Sequence, residues 1–265
     1  MSASNASYAS PVSILITGAT GGIGKSLALA YAAPARTLVL HGRNATKLAA
    51  LKAECEQRGA RVIVLLVDVT EVEKLMTLVD EACSHAAVDL VIVNAGATNF
   101  IGDDGEAWSD VERILDINLR SAMATVSATL PHLRRQGVGQ VALISSISAY
   151  VGLPLTPSYC ASKAALKAYG EALRGWLGPQ GIAVNVVLPG FVETAMSAQF
   201  PAGRPFLLSP ADAAQRIKSG LARNQARISF PFPLAFGMWA LSVMPAAWAQ
   251  AILRRLGFAE PRRPR

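Results

Sequence analysis

The chain has 265 residues, of which 52% are hydrophobic and 16% are charged, and this suits one large α/β domain with a substantial core. Its three histidines form no paired pattern with cysteines, which argues against a metal site. Its three cysteines are dispersed and odd in number. They therefore argue against a disulfide framework and favour a reducing, cytoplasmic compartment.

Apolar runs and helical stretches alternate along the chain after residues 1–11, a small and polar segment that we expect to form a flexible tail. Continuous apolar runs such as 62–67 and 90–93 are typical of strands that helices cover on both faces. The rhythm predicts an α/β fold with one doubly wound parallel sheet flanked by helices. The expected strands are 13–17, 37–41, 61–67, 88–93, 140–145, 182–188 and 227–230. The expected helices are 23–33, 44–58, 70–86, 108–135, 157–177 and 210–223.

The first expected strand runs into a glycine-rich turn, GATGGIG at residues 18–24, and then into an apolar helix. Glycines at such a junction let the backbone approach a pyrophosphate, which then lies on the positive N-terminus of the helix. The spacing is G-x-x-x-G-x-G, unlike the usual G-x-G-x-x-G fingerprint. A glycine turn without a ligand is the alternative, but the strand–turn–helix context favours a dinucleotide.

Tyr159 and Lys163 are four residues apart in an expected helix, so they lie on one helix face. A phenol normally keeps its proton until about pH 10. An ammonium beside it favours the phenolate and lowers its pKa, which makes the pair a candidate acid and base near neutrality. Tyr and Lys occur four apart on many ordinary helices, so the interpretation depends on a cofactor site elsewhere.

Several spaced motifs, in order and in register, together resemble the short-chain dehydrogenase/reductase family over about residues 12–215. The resemblance implies a single Rossmann-type dinucleotide-binding and catalytic domain, which we place at 12–230, with 231–265 as a C-terminal extension. By this resemblance the catalytic positions are Asn118, Ser146, Tyr159 and Lys163. The matching cofactor positions are Thr17, Gly18, Thr20, Gly22, Ile23, Gly24, Asp68, Val69, Asn94, Ala95, Gly96, Tyr159, Lys163, Pro189, Gly190, Val192 and Thr194.

The resemblance also implies a role for each catalytic side chain. Ser146, thirteen residues before the tyrosine, would polarise a substrate carbonyl, with Ser145 and Ser148 as supporting candidates. Tyr159 would donate or remove the proton on the substrate oxygen. Lys163 would lower the phenol pKa and bind the nicotinamide ribose, and Asn118 would hold a water that links Lys163 to solvent.

The end of the second expected strand bears on the choice of cofactor. Proteins that prefer NAD carry an acid there, which repels a 2′-phosphate, whereas this chain has Gly42. Arg43 and Asn44 follow, and a guanidinium can bind a phosphate through two parallel hydrogen bonds. We therefore expect NADP(H) in preference to NAD(H). Gly21, at a position where many NADP-binding relatives carry Ser, Lys or Arg, weakens the argument.

The C-terminal region carries most of the net charge of +7, because residues 221–265 contain seven arginines and a single acid, Glu260. Residues 228–253 are uncharged and rich in Phe and Trp, and prolines leave only 234–244 as an unbroken apolar stretch. About 20 residues are needed to span a bilayer. Two compatible interpretations remain: completion of the fold, pocket and subunit interface, or a peripheral membrane contact through 228–265. Nucleic-acid binding lacks a recognition fold.

Apolar residues in 191–208 and 149–157 would line the substrate pocket, which favours a hydrophobic ketone or secondary alcohol. The sequence thus predicts an NADP(H)-dependent oxidoreductase, and relatives suggest a homo-oligomer, a dimer or tetramer. The alternatives are an NAD-dependent dehydrogenase of the same family and a catalytically silent nucleotide-binding or scaffold protein. The substrate itself and the preferred direction do not follow from the sequence.

Overall fold

A computed structural model of the chain describes residues 10–101 and 105–258, and within these ranges seven parallel strands form one sheet. The strands are β1 (Ser13–Ile16), β2 (Thr37–Gly42), β3 (Arg61–Leu66), β4 (Leu90–Val93), β5 (Gly139–Ile144), β6 (Ile182–Pro189) and β7 (Arg227–Phe230). Their order across the sheet is β3-β2-β1-β4-β5-β6-β7. The chain reverses direction across the sheet between β3 and β4, so β1 and β4 flank the crevice where such folds bind ligands. All seven expected strands and the doubly wound fold are confirmed.

The described residues also form ten α-helices, most of which cover the two faces of this sheet. They are α1 (Gly22–Tyr31), α2 (Ala45–Glu56), α3 (Val72–Ala86), α4 (Trp108–Leu115), α5 (Ser121–Gln136), α6 (Pro157–Leu177), α7 (Ala195–Ala198), α8 (Pro210–Ala222), α9 (Phe232–Ser242) and α10 (Ala246–Arg255). Short 3₁₀ turns follow β5 and α6. The predicted helices lie within about two residues of those observed, with one exception.

The exception is the stretch 108–135, which was expected to be one helix. A π-helical turn, Asp116–Arg120, separates α4 from α5 there. Such a turn widens the i→i−4 ladder by one residue and is found frequently at functional sites. The apolar periodicity of the sequence cannot register this extra residue, so the single-helix prediction was wrong in detail. The turn carries Asn118 into the interior of the protein.

Two buried clusters cover the two faces of the sheet, and alternate residues of each strand contribute to opposite faces. On β1, for example, Ile14 and Ile16 belong to the cluster beneath α1, α2 and α8. Leu15 belongs to the opposite cluster, beneath α3, α5 and α6. Helices therefore shield both faces of the sheet from water, which explains why the strand sequences are continuously apolar.

A third cluster lies beyond the sheet, where α9 and α10 pack on the segment after β5. Ala235, Met238 and Leu241 of α9 and Ala249 and Leu253 of α10 are its buried members from the C-terminal region. Pro245 separates the two helices, in agreement with the expected break in the apolar run. The boundary drawn at residue 230 stays a prediction. The expected tail at 1–11 falls mostly outside the described residues, since these begin at residue 10.

Candidate active site

The glycine-rich turn lies between β1 and α1 and fits only glycine at two positions. Gly18 has a φ of +62°, and a Cβ there would lie 2.8 Å from the Cα of Ala95. A Cβ on Gly24 would overlap the carbonyl oxygen of Gly18. Gly21, the N-cap residue of α1, offers no capping side chain, so the first N–H groups of the helix stay available to an anion.

Thr17 and Asn94 hold this turn against the end of β4. The Asn94 side chain donates to the carbonyl oxygens of Thr17 and Gly18, both at 3.0 Å. The Thr17 hydroxyl accepts from the backbone N–H groups of Asn94 and Ala95 at 2.9 and 3.1 Å. Thr17 is buried and lies outside the cavity wall, which includes Asn94 and Ala95. Thr17 therefore shapes the turn, and its predicted contact with a cofactor stays a prediction.

His41, at the end of β2, fixes the turn from the other side. Its Nδ1 accepts from the N–H of Gly18 at 3.2 Å, and its Nε2 lies 3.0 Å from the carbonyl oxygen of Val67. This pattern requires the neutral tautomer with the proton on Nε2. Burial lowers the pKa of His41, which keeps the imidazole neutral. The ring thus joins the ends of β1, β2 and β3.

At the end of the cavity where we expect the adenosine, the wall contains two cations, Arg43 and Lys47, and one acid, Asp68. Arg43, 76% exposed at its side chain, lies 3.6 Å from the carboxylate of Asp68. The Thr70 backbone N–H, which donates to that carboxylate, is the main cause that holds the pKa of Asp68 below its usual value. Asn44 caps α2 by accepting from the N–H of Lys47 at 2.9 Å. Lys47 lines the cavity with Arg43 and was missed, although its position at the helix start was a readable signal.

Tyr159 and Ser146 meet at the opposite end of the same cavity. Tyr159 lies in the first turn of α6 and lines the cavity together with Ser146 and Ser148. The hydroxyl of Ser146 accepts from the N–H of Ser148 at 3.2 Å, which orients it at the end of β5. The Ser148 hydroxyl is buried and has no hydrogen-bond partner within the described residues. The Nζ atom of Lys163 lies 5.7 Å from the centre of the Tyr159 ring.

Burial is the main cause of the pKa shifts of Tyr159 and Lys163. It raises the pKa of Tyr159 to about 12, against smaller lowering effects of the neighbouring Ser146 and Ser148 side chains. Burial also lowers the pKa of Lys163 to about 8, and its Nζ donates to the carbonyl oxygen of Ile144 at 3.0 Å. The lowering of the Tyr159 pKa by Lys163, which the sequence led us to expect, is not found. At this separation the loss of water outweighs the ammonium.

Asn118 lies behind Lys163 and not in the cavity wall. Its amide donates to the carbonyl oxygen of Ala97 at 3.0 Å and to the hydroxyl of Ser162 at 2.9 Å, and its Oδ1 accepts from the N–H of Ala97. A Cβ on Gly96 would lie 3.4 Å from both Asn118 Oδ1 and Lys163 Nζ. The structure therefore brings Asn118 and Lys163 together, with both N–H groups of the Asn118 amide already hydrogen-bonded.

Glu106 anchors the start of α6 and was missed by the sequence reasoning. Its carboxylate accepts from the Ser158 hydroxyl at 2.7 Å, from the Ser158 N–H at 3.2 and 3.3 Å and from the Asn99 amide at 2.8 Å. An acid at a helix N-terminus is also favoured by the helix dipole. Glu106 thus orients the residue next to Tyr159. Fifty-two residues separate Glu106 and Ser158, so no local pattern indicated the pairing.

The segment after β6 closes the cavity between the two ends. Gly190 donates its N–H to the carbonyl oxygen of Phe230 at 2.7 Å, which joins the end of β6 to β7. Pro189, Gly190 and Val192 line the cavity, as the resemblance implies. Their contacts to a nicotinamide stay predictions.

Thr194 begins α7 and touches the glycine-rich turn. Its hydroxyl accepts from the N–H of Ser197 at 3.2 Å, while the Ser197 hydroxyl accepts from the N–H of Thr194, a reciprocal capping box. A Cβ on Gly22 would lie 2.5 Å from the Thr194 methyl group. Thr194, predicted to contact the nicotinamide carboxamide, therefore also holds the closing segment on the turn.

One cavity of about 980 Å³ joins these parts, and its size is in the range of ligand sites. Beyond Tyr159 its wall is apolar. The ring of Phe200 packs on the rings of Phe100, Phe191 and Phe258, with centroid distances of 5.7, 5.1 and 6.0 Å. Further apolar wall comes from the C-terminal helices through Leu234, Met238, Leu241, Ile252 and Leu253. The C-terminal segment is therefore part of the pocket.

Comparison with known proteins agrees with this geometry. The family model described as short chain dehydrogenase matches residues 13–205. The chain belongs to the short-chain dehydrogenase family. An uncharacterized oxidoreductase of Myxococcus xanthus is 33% identical over 91% of this chain and 96% of its own length. The 11-beta-hydroxysteroid dehydrogenase-like 3 protein of Arabidopsis thaliana is 35% identical over 82% of this chain and 72% of its length.

Among solved structures, a short-chain dehydrogenase from Sphingobium yanoikuyae in complex with NADPH superimposes with a TM-score of 0.78. It covers 93% of this chain and 94% of its own, at 24% sequence identity, a level that supports the fold alone. This short-chain dehydrogenase is therefore an oxidoreductase by family. Its described residues contain no group of three or more His, Cys, Asp or Glu side chains that could hold a metal ion.

Proposed function

We propose that this short-chain dehydrogenase transfers hydride between NADP(H) and a hydrophobic ketone or secondary alcohol, with Tyr159 as acid and base. The observation that carries the proposal is a single cavity with the glycine-rich turn at one end and Tyr159, Ser146 and Lys163 at the other. Such a cavity can hold an extended dinucleotide and a substrate together. Its apolar wall favours a lipophilic substrate over a sugar or a charged acid.

The chain offers a fitting group for each part of the dinucleotide. The uncapped N-terminus of α1 suits the pyrophosphate, because its N–H groups lack intrahelical acceptors. Arg43 and Lys47 suit a 2′-phosphate, and the end of β2 carries Gly42 in place of the acid that would repel it. Lys163 reaches the cavity wall near Gly96, where it would bind the nicotinamide ribose. These features favour NADP(H), and NAD(H) with the same fold is the rival.

The reaction needs a proton on the substrate oxygen, and the nicotinamide of the bound cofactor would supply or accept the hydride. Tyr159 stays protonated over the physiological range, since burial raises its pKa to about 12. It would therefore act as proton donor to a ketone oxygen. Ser146 would share its hydroxyl with the same oxygen and stabilise the charge that develops there. Lys163, with a pKa of about 8, can pass a proton near neutrality, which suits replenishment of the phenol.

The test uses the full chain with NADPH and a panel of ketones that includes long-chain and steroid-like compounds. We expect NADPH oxidation with at least one lipophilic ketone, and a kcat lower by about 10³-fold in Y159F. Y150F is the matched control, because Tyr150 lies outside the cavity wall and its hydroxyl is 3.3 Å from Ser229. Calorimetric binding of NADPH should be retained in Y159F.

Three results would separate the alternatives. Faster turnover with NADH than with NADPH would identify an NAD-dependent enzyme. Tight NADPH binding without turnover on the whole panel would favour a nucleotide-binding protein without catalytic activity. Equal kcat for Y159F and the wild type would remove the proposed role of the tyrosine. The homo-oligomer and the cytoplasmic location stay predictions, since neither follows from the geometry of one chain.

A further inference from the structure

The outer face of α9 carries a row of exposed apolar side chains. Phe232, Phe236, Trp239 and Val243 recur at intervals of four, three and four residues, which places them on one helix face. Their exposed fractions are 75%, 53%, 45% and 67%. Ring centroids are 5.9 Å apart for the first pair and 5.7 Å for Phe236 and Trp239. We refer to these four side chains as the α9 ridge.

The ridge is not needed to attach α9 to the protein. The opposite face of the helix, with Ala235, Met238 and Leu241, is already buried against the third cluster. The helix is therefore apolar on both sides, whereas a surface helix normally presents polar residues to water. A contiguous exposed row of aromatic rings indicates a surface that something else covers.

Charge identifies the covering surface as anionic. Residues 228–253 carry no charge, and residues 221–258 contain no Asp or Glu. Arg254 and Arg255, in the last turn of α10, are exposed, and neither forms an ion pair within the described residues. Arg255 lies two turns after Trp248, which is 68% exposed, so the two share one face of α10. Cations beside exposed aromatic rings match an anionic surface with an apolar layer beneath it.

A second copy of the chain fits less well. A twofold interface places the same patch on both subunits, so the α10 arginines of the two subunits would face each other. Residues 221–258 provide no Asp or Glu to neutralise them. A lipid surface provides the missing opposite charge, and Trp and Phe are suited to its headgroup layer. With eleven residues α9 is too short to cross a bilayer, and no helix of the described residues is long and apolar enough to do so.

We propose that the α9 ridge docks this short-chain dehydrogenase onto the surface of an anionic lipid bilayer, with Arg254 and Arg255 on the headgroup phosphates. Three side chains line the cavity and are also exposed at its rim: Phe206 at 58%, Met244 at 41% and Leu256 at 62%. Met244 directly follows the last ridge residue, so docking brings the rim to the lipid. A lipophilic substrate then reaches the cavity from the bilayer, a step that rests on the proposed function.

The test is co-sedimentation of the full chain with phosphatidylcholine vesicles, with and without phosphatidylglycerol, at low and high salt. We expect binding to the anionic vesicles that weakens with salt. F236S/W239S should lower the partition coefficient by about tenfold or more, through loss of buried aromatic area. R254Q/R255Q should lower it by on the order of tenfold on anionic vesicles only. The matched control is W108S, which removes from α4 a tryptophan that is 70% exposed, against 45% for Trp239.

Retention of vesicle binding in F236S/W239S would overturn the proposal. Failure of the wild type to bind either kind of vesicle would also overturn it. If light scattering then shows a larger assembly for the wild type than for F236S/W239S, a second copy of the chain covers the ridge. Turnover of a water-soluble ketone, measured without vesicles, tests the proposed function independently of lipid binding. F236S/W239S should retain that turnover, and the wild type should bind vesicles even if no ketone is reduced.

Discussion

The two ends of the cavity are built by different physical means. At the cofactor end, where we propose that the dinucleotide binds, buried polar groups meet at hydrogen-bond distances, as in the links that Thr17, Asn94 and His41 form around the glycine-rich turn. At the substrate end, beyond Tyr159, Phe200 and the C-terminal helices pack apolar side chains on one another. Hydrogen bonds fix positions within a few tenths of an ångström, whereas apolar contacts tolerate substitution at similar volume. The cofactor end is therefore rigid by construction, and the substrate end can vary.

The largest expected effect tests the rigidity of the cofactor end. G24A places a Cβ against the Gly18 carbonyl oxygen and the Asn94 amide, so the turn must shift. We expect NADPH binding about 100-fold weaker, measured by calorimetry, because overpacking of this kind costs up to about 3 kcal/mol.

The matched control for that variant is G175A in α6, where a Cβ meets no atom within 4 Å. It should bind NADPH normally and gain about 0.5–1 kcal/mol in unfolding free energy. Equal NADPH affinity in G24A and the wild type would mean that the turn is as adaptable as the substrate end.

A smaller effect is expected from the charge at the 2′-phosphate position. R43Q should lower kcat/KM with NADPH by about 30-fold and leave the value with NADH nearly unchanged, since a hydrogen bond to a charged group contributes about 2 kcal/mol. R61Q is the control, because Arg61 is exposed at the beginning of β3, beside the start of β2, whereas Arg43 follows the end of β2. If R43Q lowers kcat/KM equally with NADPH and with NADH, Arg43 does not select the phosphate.

The pH dependence tests whether Lys163 serves the phenol. Tyr159 stays protonated below about 12, so the loss of the Lys163 proton near its pKa of about 8 should govern ketone reduction. We expect kcat/KM to be level below pH 8 and about tenfold lower near pH 9. A constant rate up to about pH 10 would contradict the role of the ammonium.

The same group links pH to stability. The pKa of Lys163 lies below its usual value, so the folded chain releases the proton before the unfolded chain does. The free energy of unfolding should therefore rise with pH between about 8 and 10.5 and be flatter in K163M, as urea titrations can measure.

The smallest effect is expected at the substrate end. M244S changes a rim side chain that is 41% exposed and lines the cavity. It should raise KM for a lipophilic ketone about threefold and leave NADPH binding unchanged, since only part of the side chain loses apolar contact. A drop in NADPH affinity in this variant would show that the two ends are coupled more tightly than their packing implies.

The sequence predicted correctly the features that depend on a local pattern of residue types. The strands followed from continuous apolar runs, and the glycine-rich turn from positions such as Gly18 that have a positive φ. The side chains of Ser146, Tyr159 and Lys163 do line one cavity. Their spacing along β5 and α6 was sufficient to bring them together.

It failed where the outcome depends on the balance of distant groups. The pKa of Tyr159 follows burial, which no local spacing reports. The anchoring of α6 by Glu106 joins residues that are far apart in the chain. The π-helical turn at Asn118 follows from tertiary contacts with Ala97 and Ser162, so periodicity alone indicated a regular helix.

The contact between Gly22 and Thr194 has a consequence for binding. The turn that would hold the pyrophosphate and Thr194, the N-cap residue of α7, occupy adjoining space, so a displacement of either one is transmitted to the other. We therefore expect the dinucleotide and the second reactant to bind with coupled affinities, each changing the affinity for the other by the same factor.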